Sequence, residues 1–290
     1  MIELRQRLTQ PGILIADGAT GTMLQRAGLP AGSAPERWNL ENPAAVQALH
    51  EQYIAAGAHL ILTNTFGGSR LRIEKWGEGQ RTHDINLTAA RLARQAADGR
   101  AYVLGDIGPT GQLLEPMGAL TRDEAVAVFS EQAAALIEGG VDGILIETMA
   151  DLNEAIAAVE GARQVTDRPI LVTMSFDTHG RTMMGVEPAA AARQLWQLKV
   201  DVVGANCGRT LTETLEAIQR MRQALPEAIL MAKPNAGLPH TAGGELVYDV
   251  TPQIMADYAC RFAALGVKIF GGCCGSTPEH IRAVATALRA

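Results

Sequence analysis

The 290-residue chain is 47% hydrophobic but only 4% aromatic, so small aliphatic side chains supply a large core of the kind that packs helices on parallel strands. Its net charge of −6 comes without any Lys/Arg run, which excludes a polyanion-binding surface. No apolar stretch approaches the roughly 20 residues of a bilayer span, and residues 1–7 lack a signal-peptide core, so a cytoplasmic protein without nucleic-acid or membrane partners is expected.

Eight short aliphatic runs follow in chain order, at residues 13–15, 60–62, 102–104, 144–146, 170–172, 202–203, 229–231 and 267–270. Helical spacing fills the intervals, most clearly at 44–56, 124–138 and 152–165. Thr121 stands three residues before Glu124, the spacing of a capping box, and Gly139-Gly140 closes the same helix. Gly57 and Gly266 mark further helix-to-strand turns. Eight β-then-α units predict one (β/α)8 TIM barrel over residues 1–290, with a doubly wound open sheet as the alternative. Barrel active sites sit at the C-terminal strand ends, which here carry Asp17, Asn64, Asp106, Glu147, Ser175, Cys207, Asn235 and Cys273-Cys274.

Four cysteines, two of them adjacent, point to metal binding or catalysis rather than a disulfide framework in a chain this long. Cys207 ends the sixth run and Cys273-Cys274 end the eighth, so a barrel brings all three to one mouth. Three thiolates there suit one Zn2+ ion with its fourth position open, the arrangement of a catalytic site. Glycines flanking the pair let the backbone turn sharply. The competing reading is three small buried residues. Cys260, in a helical segment, reads as packing, and His83, His179 and His240 have no ligand spacing.

The segment Val267-Lys268-Ile269-Phe270-Gly271-Gly272-Cys273-Cys274-Gly275-Ser276-Thr277-Pro278-Glu279-His280 resembles the closing signature of the homocysteine S-methyltransferase family. Further blocks agree in order: Asp17-Gly18-Ala19-Thr20-Gly21-Thr22, Thr63-Asn64-Thr65-Phe66-Gly67, residues 105–111, Ile146-Glu147-Thr148, Gly204-Ala205-Asn206-Cys207 and Lys233-Pro234-Asn235-Ala236-Gly237. Several look most like the homocysteine-binding barrel of cobalamin-dependent methionine synthase. The resemblance implies a (β/α)8 barrel whose zinc ligands are Cys207, Cys273 and Cys274, with Asn235 as an exchangeable fourth ligand. It places the homocysteine ammonium on Asp17 and Glu147, and the carboxylate on amides around Gly18, Ala19 and Thr20. Asp106 and Asn64 are left between structural and binding roles.

The resemblance thus implies that zinc activates homocysteine as a thiolate, which is methylated to methionine without a covalent nucleophile or general base from the chain. The 290 residues are expected to leave no room for a folate barrel or a cobalamin domain, and the likeness to the methionine synthase barrel implies methylcobalamin carried by a separate protein as the donor. S-methylmethionine, another sulfonium or a betaine are alternatives, as is another small thiol acceptor, or a zinc- or thiol-binding module without catalysis. Gly67 and Thr148 stand where the betaine enzymes carry tyrosines, which weighs against betaine. Trp38 and Phe66 are the aromatic candidates for the donor side.

Overall fold

The computed structural model describes residues 1–242 and 245–289. Each expected run is a strand of one all-parallel sheet: β1 (Leu14–Ile15), β2 (Leu60–Leu62), β3 (Tyr102–Ile107), β4 (Gly143–Met149), β5 (Ile170–Met174), β6 (Val202–Cys207), β7 (Leu230–Pro234) and β10 (Ile269–Phe270). The strand order β1-β10-β7-β6-β5-β4-β3-β2 closes on itself through a parallel bridge between Ala16 and Leu60. The result is the (β/α)8 barrel, with helices between successive strands. An antiparallel hairpin, β8 (Pro239–Ala242) and β9 (Glu245–Tyr248), follows β7 and has no counterpart in the sequence reading.

The strands read as continuous aliphatic runs because both faces are covered. Alternate side chains separate into two cores. Ile61, Val103, Ile144, Val172 and Val203 point outward and pack with the helices. Leu60, Leu62, Leu104, Leu145, Leu171, Val202 and Met231 point inward and fill the barrel. A short helix, Leu4–Thr9, joins that interior with Leu4 and Leu8, one turn apart on its buried side. The floor of the barrel is therefore plugged with apolar side chains.

Local signals sit where chemistry puts them. The Thr121–Glu124 capping box is fully formed at the start of the helix Arg122–Glu138. Gly57 at φ +107° and Gly266 at φ +73° turn their helices back toward β2 and β10. Cys260 is exposed rather than packed: in the helix Pro252–Ala264 the buried stripe is Met255, Ala256, Ala259 and Phe262, and the 100° step after Ala259 carries Cys260 off it. Among the described residues no helix is long and apolar enough to cross a membrane.

His50 lies buried in the helix Pro43–Ala56, its Nε2 without a hydrogen-bond partner among the described residues, and burial lowers its pKa to about 4. The unfolded chain binds this proton near 6.5, so between about pH 6.5 and 4 the unfolded state takes up more protons and stability falls with falling pH. His50→Leu is expected to remove roughly 3 kcal/mol of the stability loss between pH 7 and 4. Chemical denaturation of both proteins at the two pH values checks this.

Candidate metal centre

Two residues beyond the apolar layer, the inward-facing rows turn polar. Leu104 is followed by Asp106, Leu145 by Glu147, Leu171 by Thr173 and Met231 by Lys233, all buried. The alternation that fills the barrel floor thus raises a ring of functional side chains toward its C-terminal mouth. Lys233 is 2% exposed, with Nζ 3.2 Å from Glu147 Oε2 and 3.7 Å from Asp17 Oδ1. Asp17 Oδ2 accepts the Leu62 N–H at 2.8 Å. Asp17 Oδ1 and Asp106 Oδ1 are buried without a hydrogen-bond partner among the described residues.

Burial dominates the proton equilibria of this ring. It raises Asp17 to about 6 against the field of Lys233, and raises Glu147 against the same field. Asp106 is pushed well above the carboxylate range by burial and then by Glu147. At Lys233 burial works downward, but the fields of Glu147 and Asp17 prevail and hold it protonated.

Above this ring the three cysteines meet. The Sγ atoms of Cys207, Cys273 and Cys274 all lie within 4.8 Å of one another, and Cys207 and Cys273 are 3.1 Å apart. The backbone is bent to achieve this. Cys207 takes φ +55°, Thr148 φ +62° and Gly275 φ +78°, a left-handed conformation that side chains rarely adopt. Asn206 holds the first two bends: its Oδ1 accepts from Thr148 N at 2.8 Å and Thr173 Oγ1 at 2.8 Å, and its Nδ2 donates to Thr148 Oγ1 at 2.6 Å. A Cβ on Gly275 would lie 2.2 Å from the Tyr248 ring, so β9 roofs the cysteine loop at that point. Gly18 is constrained likewise, because a Cβ there would meet Ser276 O and Tyr53 Oη at 2.8 Å.

Asn235 joins the two cysteine loops. Its Nδ2 donates to Gly208 O at 2.7 Å, and its Oδ1 accepts from Cys274 N at 3.0 Å. Both ends of the carboxamide are thus engaged. The Ala19 amide is also taken, donating to Ser276 O at 3.0 Å, whereas Gly18, Ala19 and Thr20 all line the cavity.

The cavity has a volume of about 340 Å³ and is bounded by the cysteines, Asp106, Glu147 and Lys233 on one side. Phe66, Trp76, Arg72 and Glu36 form the outer wall. Trp38 is not on it. That ring packs against the core, and Trp76, on the turn Glu74–Trp76, supplies the second aromatic instead. Asn64 lines the cavity but its Nδ2 is spent on Pro35 O at 2.7 Å and Asn39 Oδ1 at 3.0 Å. Ser175 accepts the Gly208 N–H at 3.3 Å, bracing the Cys207 loop.

The donor set fits a soft divalent ion. The thiols share hydrogen bonds in place of a disulfide. Bonds from Cys207 and then Cys273 lower Cys274 to about 3, so one site carries the negative charge. At Cys273 the bond with Cys207 acts downward, but the bond with Cys274 and burial outweigh it, to about 12; Cys207 is raised by its bonds to Cys273 and Cys274. Three crowded sulfurs that can hold only one charge by themselves gain most from a bound cation. Among the described residues no other His, Cys, Asp or Glu group is close enough to hold a metal.

Lys233 and Asn206 are the residues that motif reading missed. Both stand inside quoted blocks, but only the two-residue alternation from Met231 and Val202 marks them as inward-facing. Asn206→Ala strands the Thr148 amide and the Thr173 hydroxyl, and is expected to cost about 2–3 kcal/mol in urea unfolding and to speed thiol labelling at Cys207.

The sequence profile of the homocysteine S-methyltransferase family matches residues 14–288. A methionine synthase of Mycobacterium leprae (strain TN) is 32% identical over 296 residues, covering 95% of this chain and 24% of its own. One from Mycobacterium tuberculosis is 33% identical over 300 residues, with 95% and 24% covered. The chain therefore spans about a quarter of the length of these curated relatives. Among solved structures, the metallated form of the homocysteine methyltransferase MmuM from Escherichia coli superposes with a TM-score of 0.83, at 22% identity and 99% of both chains. A methyltransferase from Methanosarcina mazei gives 0.63 at 10% identity, over 97% and 95%. At those identities the likeness is one of fold.

Proposed function

The chain belongs to the homocysteine S-methyltransferase family, and we propose that it binds zinc through Cys207, Cys273 and Cys274 and methylates homocysteine to methionine. The observation that carries this reading is the cavity itself. The three thiols line it together with Asp106, Glu147 and Lys233, the Lys233 ammonium standing 3.7 Å from Asp17 Oδ1; Asp17 Oδ1 and Asp106 Oδ1 are buried without hydrogen-bond partners among the described residues. A small molecule with a thiol at one end and an ammonium at the other answers both.

Free thiols titrate near about 8.5 and are mostly protonated at neutral pH. Zinc, when bound by the cysteines, supplies the Lewis acidity that keeps the acceptor sulfur deprotonated. The remaining work falls to the chain. Asp17 and Glu147 receive the acceptor ammonium, and the Gly18 and Thr20 amides receive its carboxylate, the Ala19 amide being committed to Ser276. Fixing that end aims the sulfur at the methyl carbon, which turns an encounter of two solutes into a local displacement. The methyl–donor bond breaks as the sulfur–methyl bond forms, and the thiol proton leaves to solvent on binding. No side chain needs to act as base. Asn235 is the proposed occupant of the fourth ligand position before the acceptor arrives, at the expense of its bond from Cys274 N.

For the donor, we favour methylcobalamin carried by a separate protein seated over the mouth, a reading supported by the methionine synthases that match nearly the whole chain. A sulfonium donor is the second reading. Phe66 and Trp76 beside the buried Glu36 carboxylate give the outer wall the chemistry to hold an onium cation. Zinc-loaded protein is expected to form methionine from homocysteine with methylcobalamin, and Cys207→Ser to lose both the metal and the activity. Absence of methionine with methylcobalamin, S-methylmethionine and betaine alike contradicts the function.

A further inference from the structure

Lys233 is a buried cation at the base of a site that has to admit another cation. Its stem rises from β7, and its ammonium lies among carboxylates from three other strands or their ends: Asp17 after β1, Asp106 on β3 and Glu147 on β4. Among the described residues Lys233 Nζ makes one hydrogen bond, at 3.2 Å to Glu147 Oε2, and it stands 3.7 Å from Asp17 Oδ1. Three carboxyl groups surround one ammonium, so the acids outnumber the cation that faces them. Without Lys233 the three acids face one another in a buried space, where like charges repel or take up protons. Lys233 thus holds Glu147 Oε2 on its inner side and draws Asp17 toward the same point. That leaves Asp106 Oδ1 on the cavity lining, and Asp17 Oδ1 facing Lys233 at 3.7 Å, both buried and without hydrogen-bond partners among the described residues.

We propose that Lys233 is the positioning residue of the acceptor site: it fixes Asp17 and Glu147 for the substrate ammonium, with Asp106 as a third acceptor, and so restricts the site to thiols that carry a free amino group. This rests on the reading above that Asp17 and Glu147 receive the ammonium. Because the four side chains come from rigid strand ends rather than mobile loops, the site is formed before the substrate arrives. A thiol lacking the amino group leaves the unpartnered oxygens desolvated and pays nothing back, which is how a polar site rejects an analogue missing one donor. Lys233 pairs with Glu147 and Asp17 and acts on Cys273 only through space, so its effect is expected to fall on acceptor selection more than on metal retention.

The test compares calorimetric affinities of zinc-loaded protein for homocysteine and for its des-amino analogue, 4-mercaptobutanoate. Wild type is expected to favour homocysteine by about 10²-fold or more. Lys233→Gln is expected to keep its zinc and its affinity for the analogue while that preference drops at least tenfold. Equal weakening for both thiols, or an unchanged preference, overturns the proposal. Should Lys233→Gln fail to fold, Lys233→Gln/Asp106→Asn removes the ammonium together with one of the three carboxyl groups and is read by the same ratio, with a wild-type ratio again overturning the proposal. A wild type that binds both thiols alike instead contradicts the ammonium reading on which the proposal rests.

Discussion

Three thiols held within 4.8 Å of one another are an electrostatic problem, and the upper half of the barrel is organised around it. As free groups they retain one charge on Cys274 and push the other two protons on more tightly. Keeping them together takes left-handed backbone at Cys207 and Thr148, a glycine at 275 under the Tyr248 ring, and the side chains of Asn206 and Asn235 tied across neighbouring loops. Strain of this kind persists only where the surroundings enforce it, and it gathers where a ligand needs the geometry.

The barrel makes that enforcement inexpensive through layering. The same alternation that buries Leu104, Leu145 and Met231 carries Asp106, Glu147 and Lys233 two residues higher, on strands whose positions are already determined by their hydrogen-bonded neighbours. Burial then does two things to this ring. It favours the neutral acids, and it makes each ionic contact to Lys233 stronger than it would be in water. In the proposed reaction, acceptor recognition and sulfur activation are consequently adjacent layers of one stack of side chains.

The sequence exposed much of this arrangement, for reasons that differ from residue to residue. The eight strands were legible because buried parallel strands are written as aliphatic runs bounded by turns, and the three cysteines because their motifs fall at strand ends. Lys233 sits inside the Lys233-to-Gly237 motif, where a lone lysine ordinarily reads as solvated; only its parity with Met231 places it inside. The hairpin Pro239–Tyr248 is too short to register as strands, although a Gly-Gly dipeptide between two short runs is a hairpin signal. Trp38 and Trp76 could not be ranked from composition, because which of two tryptophans reaches the cavity depends on the path of the loop after β2. Cys260 reads as packing in sequence because a single helical step separates it from the buried stripe.

Everything in the proposed reaction turns on the acceptor sulfur joining the three cysteines. X-ray absorption at the zinc edge of the loaded protein counts those sulfurs directly. Without homocysteine the predicted shell is three sulfurs and one lighter oxygen or nitrogen; with homocysteine bound it is four sulfurs. A shell that still holds three sulfurs in the homocysteine complex contradicts it.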